Sequence, residues 1–412
     1  MRPIEMSPEE FKLLEDPAER KRIHGEAPLT ITAKLLGPPH RLDAVTLKDV
    51  HFVDCDFLGH YMFNVDLVNV SFTRCAIVGV RWEDGQWNDV SFTECVGKGR
   101  ATNIIAGSGK GTTLYDRCQF SGDDPPEPEY IDALRLHGGI GGAGKSRFTN
   151  CQFTRMNIRL VGEAEFKNCT FLSVAIEPAR SRIPIERLLM EECNSTYSLD
   201  LSNRPIYSVV VRNGNFHQID LSAVKANSIV LENISANVDI SGLDTGKFHA
   251  SNCTFKAATN ELDKVEFGGL PASLSRIDDM ALVNCKFEGT KAILQAEGDP
   301  PQYDKGGKLV PRFNVNKQLI PYFNEWGTVT LKNTPLNGAN LTYSHIKELA
   351  IDGAEFSDSR LPHNKIGKLV LKNVKLSGSL DFTDTQVKEV ITENVTKNKL
   401  SIVKDKASEI NL

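Results

Sequence analysis

From Val45 to Cys95 the apolar positions recur every five residues. Cut into fives, the stretch reads VTLKD, VHFVD, CDFLG, HYMFN, VDLVN, VSFTR, CAIVG, VRWED, GQWND, VSFTE, and then Cys95. The third place is Leu47, Phe52, Phe57, Met62, Leu67, Phe72, Ile77, Trp82, Trp87 and Phe92. The first is mostly small or β-branched, as in Val45, Cys55, Val65, Cys75 and Gly85. This period is neither the 3.6 of a helix nor the 2 of a simple strand. Places one and three lie two apart, so on an extended stretch both face the same side. That side is apolar and therefore inward. The other three places carry Asp, Asn, Ser, Thr, Arg, Glu or Gly, which suit an outer surface and a bend. Each five is thus one short side of a coil, and four sides close a coil of about twenty residues, a length typical of solenoids.

A second pattern has the same length. Cys55, Cys75 and Cys95 are twenty apart, and a Cys two residues before Phe recurs at Cys55, Cys118, Cys151, Cys169, Cys253 and Cys285. Where Cys is lost, Gly214, Ile234, Thr334, Ala354, Val374 and Val395 hold the equivalent place. Equivalent residues are expected to stack coil on coil at about 4.8 Å. The residue before this place is often Asn: Asn150, Asn168, Asn213, Asn233, Asn252, Asn284, Asn333, Asn373, Asn394. Asn tolerates left-handed backbone and is expected at a corner.

The units Ala339-Asn-Leu-Thr-Tyr343 and Ala354-Glu-Phe-Ser-Asp358 resemble those of the pentapeptide-repeat family: small residue, Asp or Asn, Leu or Phe, then two polar residues. The resemblance covers roughly 45–397. It implies an all-β fold, a right-handed quadrilateral parallel β-helix. The chain departs from the family pattern in its large centre residues Trp82 and Trp87, and in using Cys and Val where Ala is usual.

Four segments interrupt the period. Residues 1–44 lack it and form an N-terminal cap segment. Ser7-Pro-Glu-Glu10 reads as a helix start, with Ser as N-cap, Pro in the first turn and acids at the positive end of the dipole. That helix is expected to run to about Arg22 and to cover the open edge of the first coil. Insertions are expected at 97–145, broken by a coil-like stretch from Leu114 to Phe120, at 256–279, and at 288–327, which is rich in Pro and aromatics. A one-residue slip occurs near Ser379, and 398–412 reads as a C-terminal tail.

Composition adds bounds. The chain has 412 residues, a formal charge of −5 and 25% charged residues. The balance argues against direct nucleic-acid binding, which needs a basic stripe. No apolar run is long enough to span a membrane, and the first residues lack the apolar core of a signal peptide. The nine Cys belong to the inward ladder, where thiols act as small buried hydrophobes. With no CxxC and no ligand spacing, they fit a reducing cytoplasm. No metal or cofactor is expected.

The sharpest chemical motif is Gly139-Ile-Gly-Gly-Ala-Gly144-Lys145-Ser146, a formal match to the phosphate-binding G-x4-G-K-S pattern. That chemistry needs a helix after the loop. Here Ser146 opens a repeat unit instead, so a strand is expected, and nucleotide hydrolysis is not. Anion binding by this loop together with Lys110 stays open. The outward acids Asp54, Asp66, Glu83, Asp84, Asp89 and Glu94 mix with Lys48, Arg74 and Arg81, which is an ordinary charged surface rather than a catalytic carboxylate cluster. His51, His60, His137, His217 and His249 show no metal or triad spacing, and His60 falls on an inward place. No catalytic, cofactor-binding or metal residue is assigned.

The expected function is a non-enzymatic, cytoplasmic scaffold or adaptor that binds another protein through flat faces and inserted loops. The family resemblance adds two variants. One is a bacterial effector translocated into a host. The effector ligases with a similar solenoid need a catalytic Cys in a C-terminal lobe, and the last Cys here is Cys285. The other is a topoisomerase-binding DNA mimic, for which −5 is a weak charge. The remaining alternative is a ligand or glycan site, or an enzyme, built by the insertions.

Overall fold

In the computed structural model the backbone turns left-handed at every fifth residue of the periodic stretch. Asp49, Asp54, Gly59, Asn64, Asn69, Arg74, Gly79, Asp84, Asp89 and Glu94 all have φ between 53° and 63°. Four such corners per twenty residues give each coil four sides. The chain is an all-β parallel β-solenoid of about 14 turns with about 20 residues per turn. Described are residues 4–37, 41–98, 103–105, 111–122, 139–140, 144–178, 184–256, 258–260, 265–267, 270–271, 275–288, 294–297, 312–313, 319–320, 324–404 and 410. The chain forms two units, Met1–Asp200 and Leu201–Leu412.

In the first unit, Thr46–Val53, Asp56–Leu58 and Tyr61–Phe63 form one coil, and Asp66–Thr73, Ala76–Val78 and Arg81–Glu83 the next. The strands pair in parallel at a register of twenty: Phe52 with Phe72, Phe57 with Ile77, Met62 with Trp82. Places one and three are buried as expected; Cys55, Val70, Phe72 and Ile77 are all at 1% exposure or less. Corner amides are satisfied coil to coil, as in Asp54 N–H to Thr73 C=O at 3.0 Å and Arg74 N–H to Thr93 C=O at 2.8 Å. These bonds offset the roughly 1–2 kcal/mol that a left-handed non-glycine residue costs.

Register dictates the core. Phe52, Phe72, Phe92, Tyr115, Phe148 and Phe166 form one column, ring on ring, with centroids 4.5–5.1 Å apart and planes within 8°. A neighbouring side supplies rings edge-on: Phe57 against Phe52 at 75°, Phe120 against Tyr115 at 84°, Phe153 against Phe148 at 78°. Edge contacts are the arrangement that ring quadrupoles favour. Gly85 sits at an inward place between Trp82 and Trp87, and a Cβ there would collide with the carbonyl oxygen of Val65. The coil there has room only for glycine.

The cysteines do more than fill space. All nine are buried and free. Each thiol lies within hydrogen-bonding distance of a carbonyl two residues back and of another in the preceding coil. Cys75 Sγ, for example, is 3.5 Å from Thr73 O and 3.6 Å from Phe52 O, and Cys95 Sγ is 3.5 Å from Thr93 O and 3.3 Å from Phe72 O. A thiol is thus a weak donor to the corner carbonyls.

The N-terminal helix expected to run unbroken to Arg22 is two helices, Pro8–Glu15 and Pro17–His24. Ser7 and Glu10 form the capping box. Pro17 cannot continue the first helix because it lacks an N–H and its ring clashes with the preceding turn. Asp16 is extended there, and its carboxylate caps Ala18 and Glu19. Phe11 and Leu14 are buried. Coil pairing starts before the period does: Leu29–Thr32 pairs with Val50–Val53, and Lys34–Leu36 with Asp56–Leu58.

In the second unit the left-handed corners thin out and the strands lengthen, as in Lys225–Glu232 and Ser344–Asp352. The Asn corner persists. Asn213, Asn233, Asn252, Asn284, Asn333, Asn373 and Asn394 have φ between 48° and 54°. Their amides form ladders, Asn233 to Asn213 at 2.9 Å, Asn284 to Asn252 at 3.1 Å and Asn333 to Asn284 at 2.9 Å. Thr334 takes over the thiol's role, donating to Lys332 O and Leu282 O at 3.1 Å each. Ile234 and Val374 are buried at that place. The slip near Ser379 is an extra residue around Gly378: Ser357 and Ser359 on the preceding coil pair with Ser377 and Leu380. The segment 256–279 contributes an antiparallel pair, Ala258–Asn260 with Val265–Phe267.

Phe72→Asp places a carboxylate inside a ring column where the parent ring is wholly buried. It is expected to cost more than the ~3–5 kcal/mol of truncating a buried Phe and to abolish the cooperative melt. Thr73→Lys, one residue on and outward, is expected to leave the melting curve unchanged. A normal melt for Phe72→Asp would refute the register.

Candidate functional site

The glycine-rich motif ends in a strand, Lys145–Thr149, not a helix. Ser146 is fully buried, and its hydroxyl belongs to the ladder position between Thr113 and Ala164. It faces the core and cannot reach a metal on a phosphate. Lys145 lies 3.6 Å from Glu163 on the next coil. Gly162 packs so closely that a Cβ on it would strike the Gly144 carbonyl. Lys110 and residues 141–143 lie outside the described residues, as do most of 288–327 and His137.

The outward charges pair from coil to coil. Arg74 meets Asp54 at 2.7 Å, Arg117 meets Glu94 at 3.1 Å, Arg147 meets Glu165 at 3.2 Å and Arg212 meets Glu232 at 2.7 Å. Asp66 accepts the Gln86 N–H at 2.8 Å. Exposed pairs of this kind each contribute at most about 1 kcal/mol, and they neutralise rather than poise their carboxylates. The Arg74 guanidinium, through its hydrogen bond, holds the Asp54 carboxyl below its ordinary value. His51 meets Ser71 at 2.7 Å and His249 meets Asp279 at 2.9 Å. His60 is buried against Phe57 and Trp82. Among the described residues no group of three or more His, Cys, Asp or Glu could hold a metal ion. Burial, which disfavours a thiolate, pushes the Cys75, Cys118 and Cys169 thiols above the ordinary value. These thiols are protonated and inert.

Several outward places among the described residues depart from the run of paired charges and short polar groups, Tyr197 and Tyr207 among them, and two of these places carry clustered groups. On the first unit, Leu58 and Phe63 are exposed, at 53% and 37%. They lie on adjoining sides of one coil, across the Gly59 corner. Tyr61 stacks on Phe63 at 6.3 Å, and the Arg41 guanidinium lies 4.4 Å over the Tyr61 ring. Val78, one coil on from Leu58, extends the apolar surface. The sequence reading assigned the inward places and passed over this outward one. Its signal is the unit CDFLG-HYMFN, where places two and four carry Leu, Tyr and Phe instead of polar residues.

On the second unit an open depression of about 390 Å³ crosses three coils. Asn340, Arg360 and Asp381 stand in register along one side. Thr342, Pro362 and Thr383 line the next column. Tyr343 and His363, both at left-handed corners, stack at 4.6 Å and 10° on the other side. The sequence reading did not bring these residues together. Their outward places at a period of about twenty are the signal that could have done so.

No protein-family model, curated protein or solved structure matches this chain.

In the native protein none of the nine thiols is expected to react with Ellman's reagent, and all should titrate in denaturant. Rapid native labelling of even one would place it outside the ladder.

Proposed function

We propose that this chain is a pentapeptide-repeat-like scaffold that binds another protein and performs no chemistry itself. The observation that carries the reading is the aromatic and arginine patch of Arg41, Leu58, Tyr61 and Phe63 on the first unit. Tyr61 is half-buried and Phe63 exposed, and Tyr and Phe with Arg are residue types enriched at protein interfaces. The coil beneath holds them at fixed spacing, so little order is lost on docking.

The rest of the described surface supports the same reading. Several of its carboxylates and bases are tied in coil-to-coil pairs, and its thiols and His60 are inside. Reduced, buried thiols accord with a cytoplasmic setting. The insertions would add to the interface.

The test is affinity capture with the full chain as bait, comparing wild type with Tyr61→Ser/Phe63→Ser. The wild type is expected to retain one or a few proteins from lysate, and the double variant to lose at least tenfold of that recovery with its melt unchanged. Equal recovery by both would overturn the assignment of the patch.

A further inference from the structure

We propose that the depression on the second unit is a binding site for an uncharged saccharide. Outward residues of this solenoid stand in columns. Stacking at about 4.8 Å per coil lines up outward residues one turn apart, and here three successive turns carry complementary rather than repeated groups. One wall is Asn340, Arg360, Asp381, in register. All three are planar polar groups, able to make paired hydrogen bonds to neighbouring hydroxyls.

The wall is held ready. Asp381 Oδ1 accepts from the Thr383 backbone N–H at 3.0 Å and from its hydroxyl at 2.7 Å. This fixes the carboxylate plane. Its Oδ2 meets Arg360 Nε only at 3.8 Å, and the Arg360 side chain is 68% exposed. An acceptor and a set of donors therefore stand side by side without closing on each other. That is the arrangement a vicinal diol satisfies, one hydroxyl donating to Asp381 and its neighbour accepting from Arg360. Asn340 Oδ1 is likewise held by the Thr342 hydroxyl at 2.8 Å.

The opposite wall is aromatic. Tyr343 and His363 stack on each other, and Asp384 lies 3.1 Å from His363 Nδ1. A proton on Nδ1 shared with Asp384 leaves Nε2 for a further hydrogen bond. The ring edges and the Pro362 floor offer apolar contact for the C–H groups of a sugar. Charge decides the class of saccharide. Arg360 is the one Lys or Arg side chain lining the depression, and it stands against Asp381, so no cluster of bases selects a phosphate, sulfate or uronate. A depression of about 390 Å³ falls within the range of small-ligand sites, and its open form implies weak binding per site.

The experiment is a glycan microarray of neutral and acidic oligosaccharides probed with the full chain, displayed multivalently to offset weak single-site affinity. A bound neutral oligosaccharide would then be titrated by calorimetry. Arg360→Ala is expected to lose at least tenfold in affinity, and Asp381→Asn similarly, with unchanged melting. Lys372→Ala, which breaks the exposed pair with Glu393 outside the depression, should bind as wild type does. A blank array, binding confined to acidic glycans, or full binding by both Arg360→Ala and Asp381→Asn would each overturn the proposal. The outcome is independent of the protein-binding patch, which the Tyr61→Ser/Phe63→Ser variant alone disturbs.

Discussion

In-register parallel stacking is the constraint on which everything else in this molecule depends. Each coil lies about 4.8 Å above the last, so every side chain meets the residue one turn away at a distance it did not choose. Apolar rings meet face to face, as Phe72 and Phe92 do at 4.7 Å and 5°. Amides meet as ladders, as Asn233 and Asn213 do. Thiols meet carbonyls. Opposite charges meet as ion pairs in some columns, as Arg74 does over Asp54 and Arg117 over Glu94. The sequence of one coil is therefore constrained by its two neighbours.

Closing a coil of about twenty residues requires sharp corners, and the corner chemistry follows from the left-handed backbone. Asn, Asp and Gly fill most of these places, since each tolerates positive φ. Arg74 and Glu94 show that the requirement is on the backbone and not on the residue: both sit at φ near 55°, with their amides bonded to the adjacent coil. In the second unit several corners are lost, and strands such as Lys365–Lys372 run on where the first unit would have bent.

Both proposed binding sites lie where an outward column breaks its own rule. Most outward columns repeat or neutralise themselves and give a surface with little to recognise. Leu58, Tyr61 and Phe63 leave apolar groups where polar ones are the norm. The column Asn340, Arg360, Asp381 places three different polar groups in line and fixes one of them through Thr383. These departures are small in sequence and large in surface chemistry, because the rigid coils beneath hold them in place.

The sequence by itself determined the coil. The inward places, the twenty-residue turn, the Cys column and the Asn corners are local or strictly periodic, and a period survives without knowledge of the whole. It also predicted a strand after Gly144, where a nucleotide-binding loop needs a helix, and Lys145–Thr149 is that strand. Only the tertiary structure decided the rest. The N-terminal helix broke at Asp16-Pro17, where a proline that suits the first turn of one helix cannot extend another. Cys75 and Cys95 became donors to carbonyls of the coil before. The depression lined by Tyr343, Arg360, His363 and Asp381 drew its residues from three turns. Outward places share the period of about twenty but their residue types do not repeat, so their companions stand out only once the turns are stacked.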